Sequence, residues 1–394
     1  MKNGWQCKKV SEIAKHSLGK MLDKAKNKGE PKPYLRNLNV RWFDFDLSDV
    51  LEMRFLPEEA AKYTAVKGDV LICEGGYPGR AAIWEQDEPI YFQKALHRVR
   101  FHEAERNKWF LYYLQAKDFD GTLKNHFNGA GIQHFTGEAL AEFVVPLPPL
   151  PEQRRIVALL DEAFEGIATA KANAKKNLQN ARALFENHLQ SVFTQRGPEW
   201  VDRTLDQVCI VERGSSPRPI KEYFTTKPGG VNWIKIGDTE EGGKYVYSTA
   251  QKITPEGAKQ SRFVKEGDFI LTNSMSFGRP YIMKTSGYIH DGWFVLRLNI
   301  AIDTDYFYYL LSSAIVQSQF ALLASGSVVK NISGDLVKQA VLPIPPLAHQ
   351  HAIVKKLLGI SEESQRLASL YARKLAALDE LKKSLLHQAF TGNL

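Results

Sequence analysis

The chain has 394 residues, with 44% hydrophobic, 24% charged and 11% aromatic residues, which is enough for two or three cores and too apolar for extensive disorder. No apolar run approaches the length of a membrane span, and the basic start MKNGWQCKKVSEIAK lacks the apolar stretch of a signal peptide, so neither export nor insertion is expected. A formal net charge of +8 favours polyanionic partners. Cys7, Cys73 and Cys209, with no CxxC pair among them, support neither a disulfide framework nor a cysteine zinc site and fit a cytoplasmic protein.

In chain order, AVKGDVLIC (65–73) places a Gly-Asp turn before a β-branched, half-buried strand, and Trp109 to Leu114 read as an amphipathic helix. A Gly-rich loop, FNGAGIQHFTGEAL (127–140), leads through a short strand into PLPPLP (146–151). That run is not helical throughout, because proline removes N–H donors and pushes its neighbour toward extended backbone. Beyond it Ile156, Leu160, Ala163, Ile167, Ala170, Ala174, Ala181 and Leu184 recur at steps of four and three, predicting a helix over 152–193, about 63 Å long.

The pattern then starts again. FVKEGDFILT (263–272) repeats the Gly-Asp turn and strand, Tyr306 to Leu311 the helix, and ASGSVVKNISGDL (324–336) the Gly-rich loop. Residues 137–161 align at a shift of 197 with 334–358, ten positions being identical without a gap, and Phe193-Thr194 falls on Phe390-Thr391. Trp5 matches Trp200 at a shift of 195, and Gly68-Asp69 and Gly79-Arg80 match Gly267-Asp268 and Gly278-Arg279 at 199. The second heptad frame is Ile353, Leu357, Ile360, Ser364, Leu367, Tyr371, Lys374, Leu378, Leu381 and Leu385. The chain is thus expected to be an α+β internal repeat with pseudo-two-fold character: residues 1–147 and 197–344 as globular modules, 148–196 and 345–394 as helices. Burying an exposed Leu or Ile contributes about 1.5–3 kcal/mol, so the helices should pair, and antiparallel pairing would put a module near each end of a rod.

Catalytic patterns are missing. There is no phosphate-binding GxxxxGK, no Gly-rich dinucleotide fingerprint, no Asn-Pro-Pro-aromatic tetrapeptide for a flipped base and no Gly-x-Ser-x-Gly elbow. Glu30-Pro31-Lys32 and Glu380-Leu381-Lys382 lack the acidic partner of a nuclease site. His349 and His351 stand two apart at a helix start, on different faces, and read as capping or surface contacts.

Candidate duplex-reading loops are 75–80 with 273–279 and 131–134 with 329–332. Arg80 and Arg279 have the fork for guanine or phosphate, and Gln133 and Asn331 the amide for adenine. Tyr77, His134, Ser274 and Lys330 flank them, and Arg36 and Lys235, equivalent at a shift of 199, are candidate phosphate contacts. Each Gly-Arg also reads more plainly as a turn whose arginine salt-bridges its own module. Modules that differ while their helices stay alike suit two readers of different short sequences beside one shared partner type.

With two ordered copies of Gly-Asp-(Val/Phe)-(Leu/Ile) followed by Gly-Arg, PLPPLPEQRRIV (146–157) with PIPPLAHQHAIV (343–354), and the endings SVFT (191–194) and QAFTGNL (388–394), the chain resembles the specificity subunits of Type I restriction-modification systems over essentially its whole length. The resemblance implies two target-recognition domains, each reading half of a split double-stranded DNA site, joined by antiparallel coiled-coil spacers. It implies two modification subunits docked around the helices, near Pro149, Gln153, Pro346 and Gln350, with S-adenosylmethionine carried there. Restriction subunits would supply ATP- and Mg-dependent work, leaving this chain with no catalysis, cofactor or metal of its own. Ala348-His349-Gln350 stands where the first copy has Pro151-Glu152-Gln153, which puts docking at that end in question. Other readings are the recognition part of a methyltransferase-nuclease fusion and a coiled-coil assembly protein without a DNA role. The start at Met1 and the family-like ending argue against a missing catalytic part.

Overall fold

The computed structural model describes residues 4–23, 25–240, 242–273, 278–323 and 333–394. The chain divides into two compact units, residues 1–175 with 372–394, and residues 176–371. The units cut across the helical segments expected at 148–196 and 345–394. Each unit is a module plus a piece of both long helices, because the helix pieces bury their apolar residues against module side chains and not only against each other.

In unit 1, a four-stranded antiparallel sheet is ordered Ala14–Leu18, Leu96–Phe101, Val70–Cys73, Ala81–Ile83. A second sheet is ordered Leu51–Phe55, Glu30–Leu35, Ile90–Phe92, Thr64–Ala65, with a parallel central pair in which Tyr34 faces Tyr91. Val70–Cys73 is buried on both faces rather than half-buried: Val70 and Ile72 enter the core under the helix Arg106–Phe119, while Leu71 and Cys73 enter a separate core with Leu35, Trp84 and Phe92. The preceding turn needs its glycine, since Gly68 has φ +91°. Asp69, 3% exposed at its side chain, accepts from the Val66 N–H and from Arg100 Nε and Nη2 at 2.7 and 2.6 Å. The helix Arg106–Phe119 is buried around most of its middle, Trp109, Phe110, Leu111, Tyr112 and Leu114 all being inaccessible, so it is more enclosed than an amphipathic surface helix.

Unit 2 repeats the plan. Its larger sheet is ordered Cys209–Arg213, Trp293–Leu298, Phe269–Thr272, Pro280–Met283, Tyr245–Val246, and a four-stranded sheet has a parallel pair in which Trp233 faces Tyr288. Gly267 has φ +87°, and Asp268 accepts from the Lys265 N–H and Arg297 Nε. The short helix Thr304–Ser312 is followed at once by another, Ala314–Leu323.

The two long helices, Leu150–Thr194 and Leu347–Thr391, each have 45 residues and start and end 197 apart. Within unit 1 their pieces run antiparallel: Ile156 and Leu160 share a core with Leu386 and Ala389, and Lys171 pairs with Asp379. Within unit 2 Leu189 and Phe193 share a core with Val354 and Leu357, and Ser364 Oγ donates to the Ala181 carbonyl. The seam departs from the expected frame at Leu184 and Leu381, 44% and 46% exposed, and at exposed Lys374. Beside Leu381 it is Lys382 that turns inward, its ammonium 4.6 Å from the Phe164 ring centroid and 5.4 Å from that of Phe43. Burial holds its pKa below the ordinary lysine value.

The proline runs are joined to the helices in the same way twice. Trp109 Nε1 donates to the Pro146 carbonyl at 2.7 Å, and Tyr306 Oη to the Pro343 carbonyl at 2.6 Å. Gln153 Nε2 donates to the Pro148 carbonyl at 2.7 Å, and Gln350 Nε2 to the Pro345 carbonyl at 2.9 Å.

Candidate nucleic-acid interface

Three segments of unit 1 meet around Asn37, which follows the strand Glu30–Leu35. Its Nδ2 donates to the Gly75 carbonyl at 3.1 Å, and its own carbonyl accepts from Arg80 Nη2 at 2.9 Å. The 75–80 loop closes tightly: Gly76 and Gly79 have φ +76° and +84°, and a Cβ on Gly76 would sit 2.1 Å from Asn37 Nδ2. The Arg80 guanidinium lies 4.8 Å from the ring centroid of Tyr77, which is 51% exposed. Beneath, burial pushes the Cys73 thiol up to about 11, the Arg80 charge opposing it in part.

The third segment is a small hairpin. Asn128 and His134 exchange backbone hydrogen bonds of 2.8 Å, leaving 129–133 as a tip with Ile132 and Gln133 exposed. Gly129 makes the turn with φ +113°, and a Cβ there would meet the Ile132 carbonyl at 2.2 Å. His134 Nδ1 lies 3.2 Å from Glu74 Oε2, tying the tip to the loop before Arg80. Tyr77, Arg80, Gln133 and His134 are therefore gathered by contacts that sequence separation conceals.

Arg36 belongs to the same cluster but is committed inward. Its Nη2 binds Asp49 Oδ2 at 2.7 Å and the Asp49 carbonyl at 2.9 Å, and its side chain is 16% exposed. A guanidinium already paired with a carboxylate has less to offer the phosphate expected of it from the sequence. Gln153 and Gln350, 2% and 1% exposed, hold the proline runs, and Gln350 Oε1 also accepts from the Asp303 N–H at 2.8 Å. Neither side chain is presented to a partner, which corrects the docking expectation. Pro149 and Pro346 are exposed.

In unit 2, Ser274, Lys330 and Asn331 lie outside the described residues. Lys235 occupies the strand end equivalent to Arg36, its N–H donating to Asp238 Oδ2 at 2.8 Å. Arg279 keeps the backbone place of Arg80, the Thr272 N–H donating to its carbonyl as the Cys73 N–H does to that of Arg80. Its side chain instead lines a cavity of about 390 Å³ with Glu186, Tyr308 and Gln317. His349 and His351 face different carboxylates, Glu199 at 3.6 Å and Asp303 at 3.5 Å, as surface residues.

A basic loop outside the candidates read from the sequence completes the unit 2 surface. Arg213 Nε donates to the Asp291 carbonyl at 3.2 Å, Ser216 Oγ to Asp291 Oδ1 at 2.7 Å, and Arg218, 84% exposed at its side chain, lies 3.8 Å from Asp291 Oδ2. The Ser216 hydroxyl holds the Asp291 pKa down, and burial holds that of neighbouring His290 down. The legible signal was Arg213-Gly214-Ser215-Ser216-Pro217-Arg218, cations interleaved with turn-forming residues.

Among the described residues no group of three or more His, Cys, Asp or Glu is placed to hold a metal, and no helix is long and apolar enough to cross a membrane. A family model described as "Type I restriction modification DNA specificity domain" matches the chain twice, over residues 2–180 and 198–370. The Type I restriction enzyme EcoBI specificity subunit of Escherichia coli is 22% identical over 342 residues, covering 80% of this chain and 71% of its own. The MjaVIII specificity subunit of Methanocaldococcus jannaschii is 23% identical, covering 73% and 70%. A chain solved in work on complex assembly and conformational transition of the type I R-M system superposes with TM-score 0.79 at 20% identity, over 100% of this chain and 99% of that one. The HsdS subunit of Thermoanaerobacter tengcongensis does so with TM-score 0.69 at 20% identity, over 100% and 98%.

Proposed function

Because the chain belongs to the Type I restriction-modification specificity family, matched by both of its halves, we propose that each unit reads one part of a two-part duplex DNA target and that the chain performs no catalysis itself. The observation that carries this is the unit 1 cluster: an aromatic ring, an arginine, an exposed amide and a histidine brought to one place by glycine turns. Arginine and carboxamide side chains are the ones whose paired donors and acceptors match guanine and adenine edges in the major groove. The helix pairs serve as the platform for modification subunits, with Pro149 and Pro346 on its exposed surface. S-adenosylmethionine belongs to those subunits, and ATP and Mg to restriction subunits, all in the cytoplasm.

Divergence between the units supports two different words. Unit 1 offers Tyr77 and Arg80, whereas unit 2 offers Arg213, Arg218 and Lys235 around a half-buried histidine, so the two surfaces present different side chains to a duplex. The test is reconstitution. The purified chain should bind duplex DNA with a steep salt dependence and methylate nothing, and addition of modification subunits should yield sequence-specific adenine methylation. Methylation by the chain alone, or duplex binding indifferent to salt, would contradict the proposal.

A further inference from the structure

The two units differ at one open backbone edge. In unit 2 the strand Val341–Ile344 is flanked by the helix Ala314–Leu323, and Gln319 seals its edge: the Val341 N–H donates to Gln319 Oε1 at 2.8 Å and Gln319 Nε2 donates to the Val341 carbonyl at 2.9 Å. The equivalent strand of unit 1, Val144–Leu147, pairs with Gln6–Lys9. The Val10 N–H donates to the Phe143 carbonyl, so in the alternating antiparallel ladder Val144 and Lys9 face each other without bonding. The Lys9 N–H turns away to Glu12 Oε2 at 2.7 Å. The outward N–H and C=O of Val144 consequently have no partner among the described residues.

The residue standing for Gln319 at the shift of 197 is Thr122, whose hydroxyl is tied to Asp120 Oδ1 at 2.5 Å and is too short to reach. The register is secured next door, where Leu123 and Phe320 meet Gly79 and Gly278 in the same way. In place of an edge helix, unit 1 has the short turn Leu123–His126 and a cavity of about 450 Å³ beside Val144, lined also by Tyr113, Thr122, Phe143, His387 and Phe390. Val144 is 44% exposed.

We propose that this groove is the seat of a helix from a partner protein that presents a carboxamide side chain, Gln or Asn, to the Val144 N–H and C=O. Unit 2 supplies the template: its edge helix carries Gln319 together with buried Val316 and Phe320, so the partner helix combines an amide with one apolar residue a turn before it and another directly after it. The inference rests on the reading of the chain as a subunit that docks modification subunits, which are the source of that helix.

The experiment titrates the full chain with its modification subunit and follows association together with hydrogen exchange at the Val144 amide. Thr122→Gln places the seal within unit 1 and fills the groove, and should weaken association about tenfold while keeping duplex binding. Val144→Pro removes the outward donor without adding bulk to the groove, in a strand whose ladder does not use that N–H, and should act in the same direction. In the wild type, the Val144 amide should gain protection on assembly. Unchanged association of both variants, with an unprotected Val144 amide, overturns the docking site alone. Failure of the wild-type chain to associate at all overturns the parent reading and the site with it.

Discussion

Units 1 and 2 keep the same framework bonds and spend their exposed side chains differently. The Gly-Asp turns, the bond from an aromatic residue to a proline carbonyl and the glutamine lock on the proline run occur in both. Arg80 is stacked on Tyr77 and held by Asn37, whereas Arg279, at the same backbone position, lines a cavity beside Tyr308. Where the two copies agree, the shared residues are doing structural work. Where they differ, at the loop surfaces and at the Val144 edge, recognition has room to diverge.

The sharpest way to break this comparison is to remove a framework residue from one copy. Trp109→Ala deletes a fully buried indole and its bond to Pro146, and should cost about 3–5 kcal/mol, lowering the unfolding transition of unit 1 and leaving that of unit 2 in place. Calorimetry of the full chain reads both. Next, Gln350→Ala should cost about 2 kcal/mol and Gln153→Ala about 1 kcal/mol, because Gln350 satisfies both Pro345 and Asp303 whereas Gln153 satisfies Pro148 alone. Equal losses in the two variants would show that the second bond of Gln350 contributes nothing.

A smaller effect separates the loops. Arg80→Lys keeps the charge but loses the fork and the flat face on Tyr77, and should weaken duplex binding by about 1–2 kcal/mol while relaxing one word only, as methylation mapping would report. Smallest is the acid response. Burial holds the pKa of His97 in unit 1 and of His290 in unit 2 below the ordinary 6.5. Both are neutral in the fold and protonate more readily in the unfolded chain, so their contribution is complete above pH 6.5 and declines as the pH falls below it toward the folded-state values. His97→Gln should flatten the acid limb of the unit 1 transition and leave that of unit 2.

Much of the framework was legible in the sequence. The Gly-Asp turns need a left-handed glycine and a carboxylate cap, and the helices repeat at a shift of 197 through the proline runs that start them. The glutamines misled, because identity between copies marked them for docking when their burial against proline carbonyls is what keeps them. Leu184 and Leu381 misled for another reason. A heptad frame assumes helix against helix, but the module side chain Phe43 shares the seam with Phe164 of the first long helix, and together they draw Lys382 inward instead. The Arg36–Asp49 pair and the gathering of Tyr77 with His134 depend on long-range contacts that no local pattern encodes. Among the candidate reading residues, the sequence singled out two loops of unit 1 that the fold brings together around Glu74 and Asn37, and it passed over Arg213 and Arg218 in unit 2, where no match in the first copy drew attention to them.

The central claim is that each unit reads its own word. It is tested most directly by replacing residues 1–147 with the corresponding module of another family member, reconstituting the chimaera with modification subunits, and mapping methylated adenines by single-molecule sequencing. The account predicts that one half of the recognised site changes and the other half is retained. Loss or change of both halves together would contradict it.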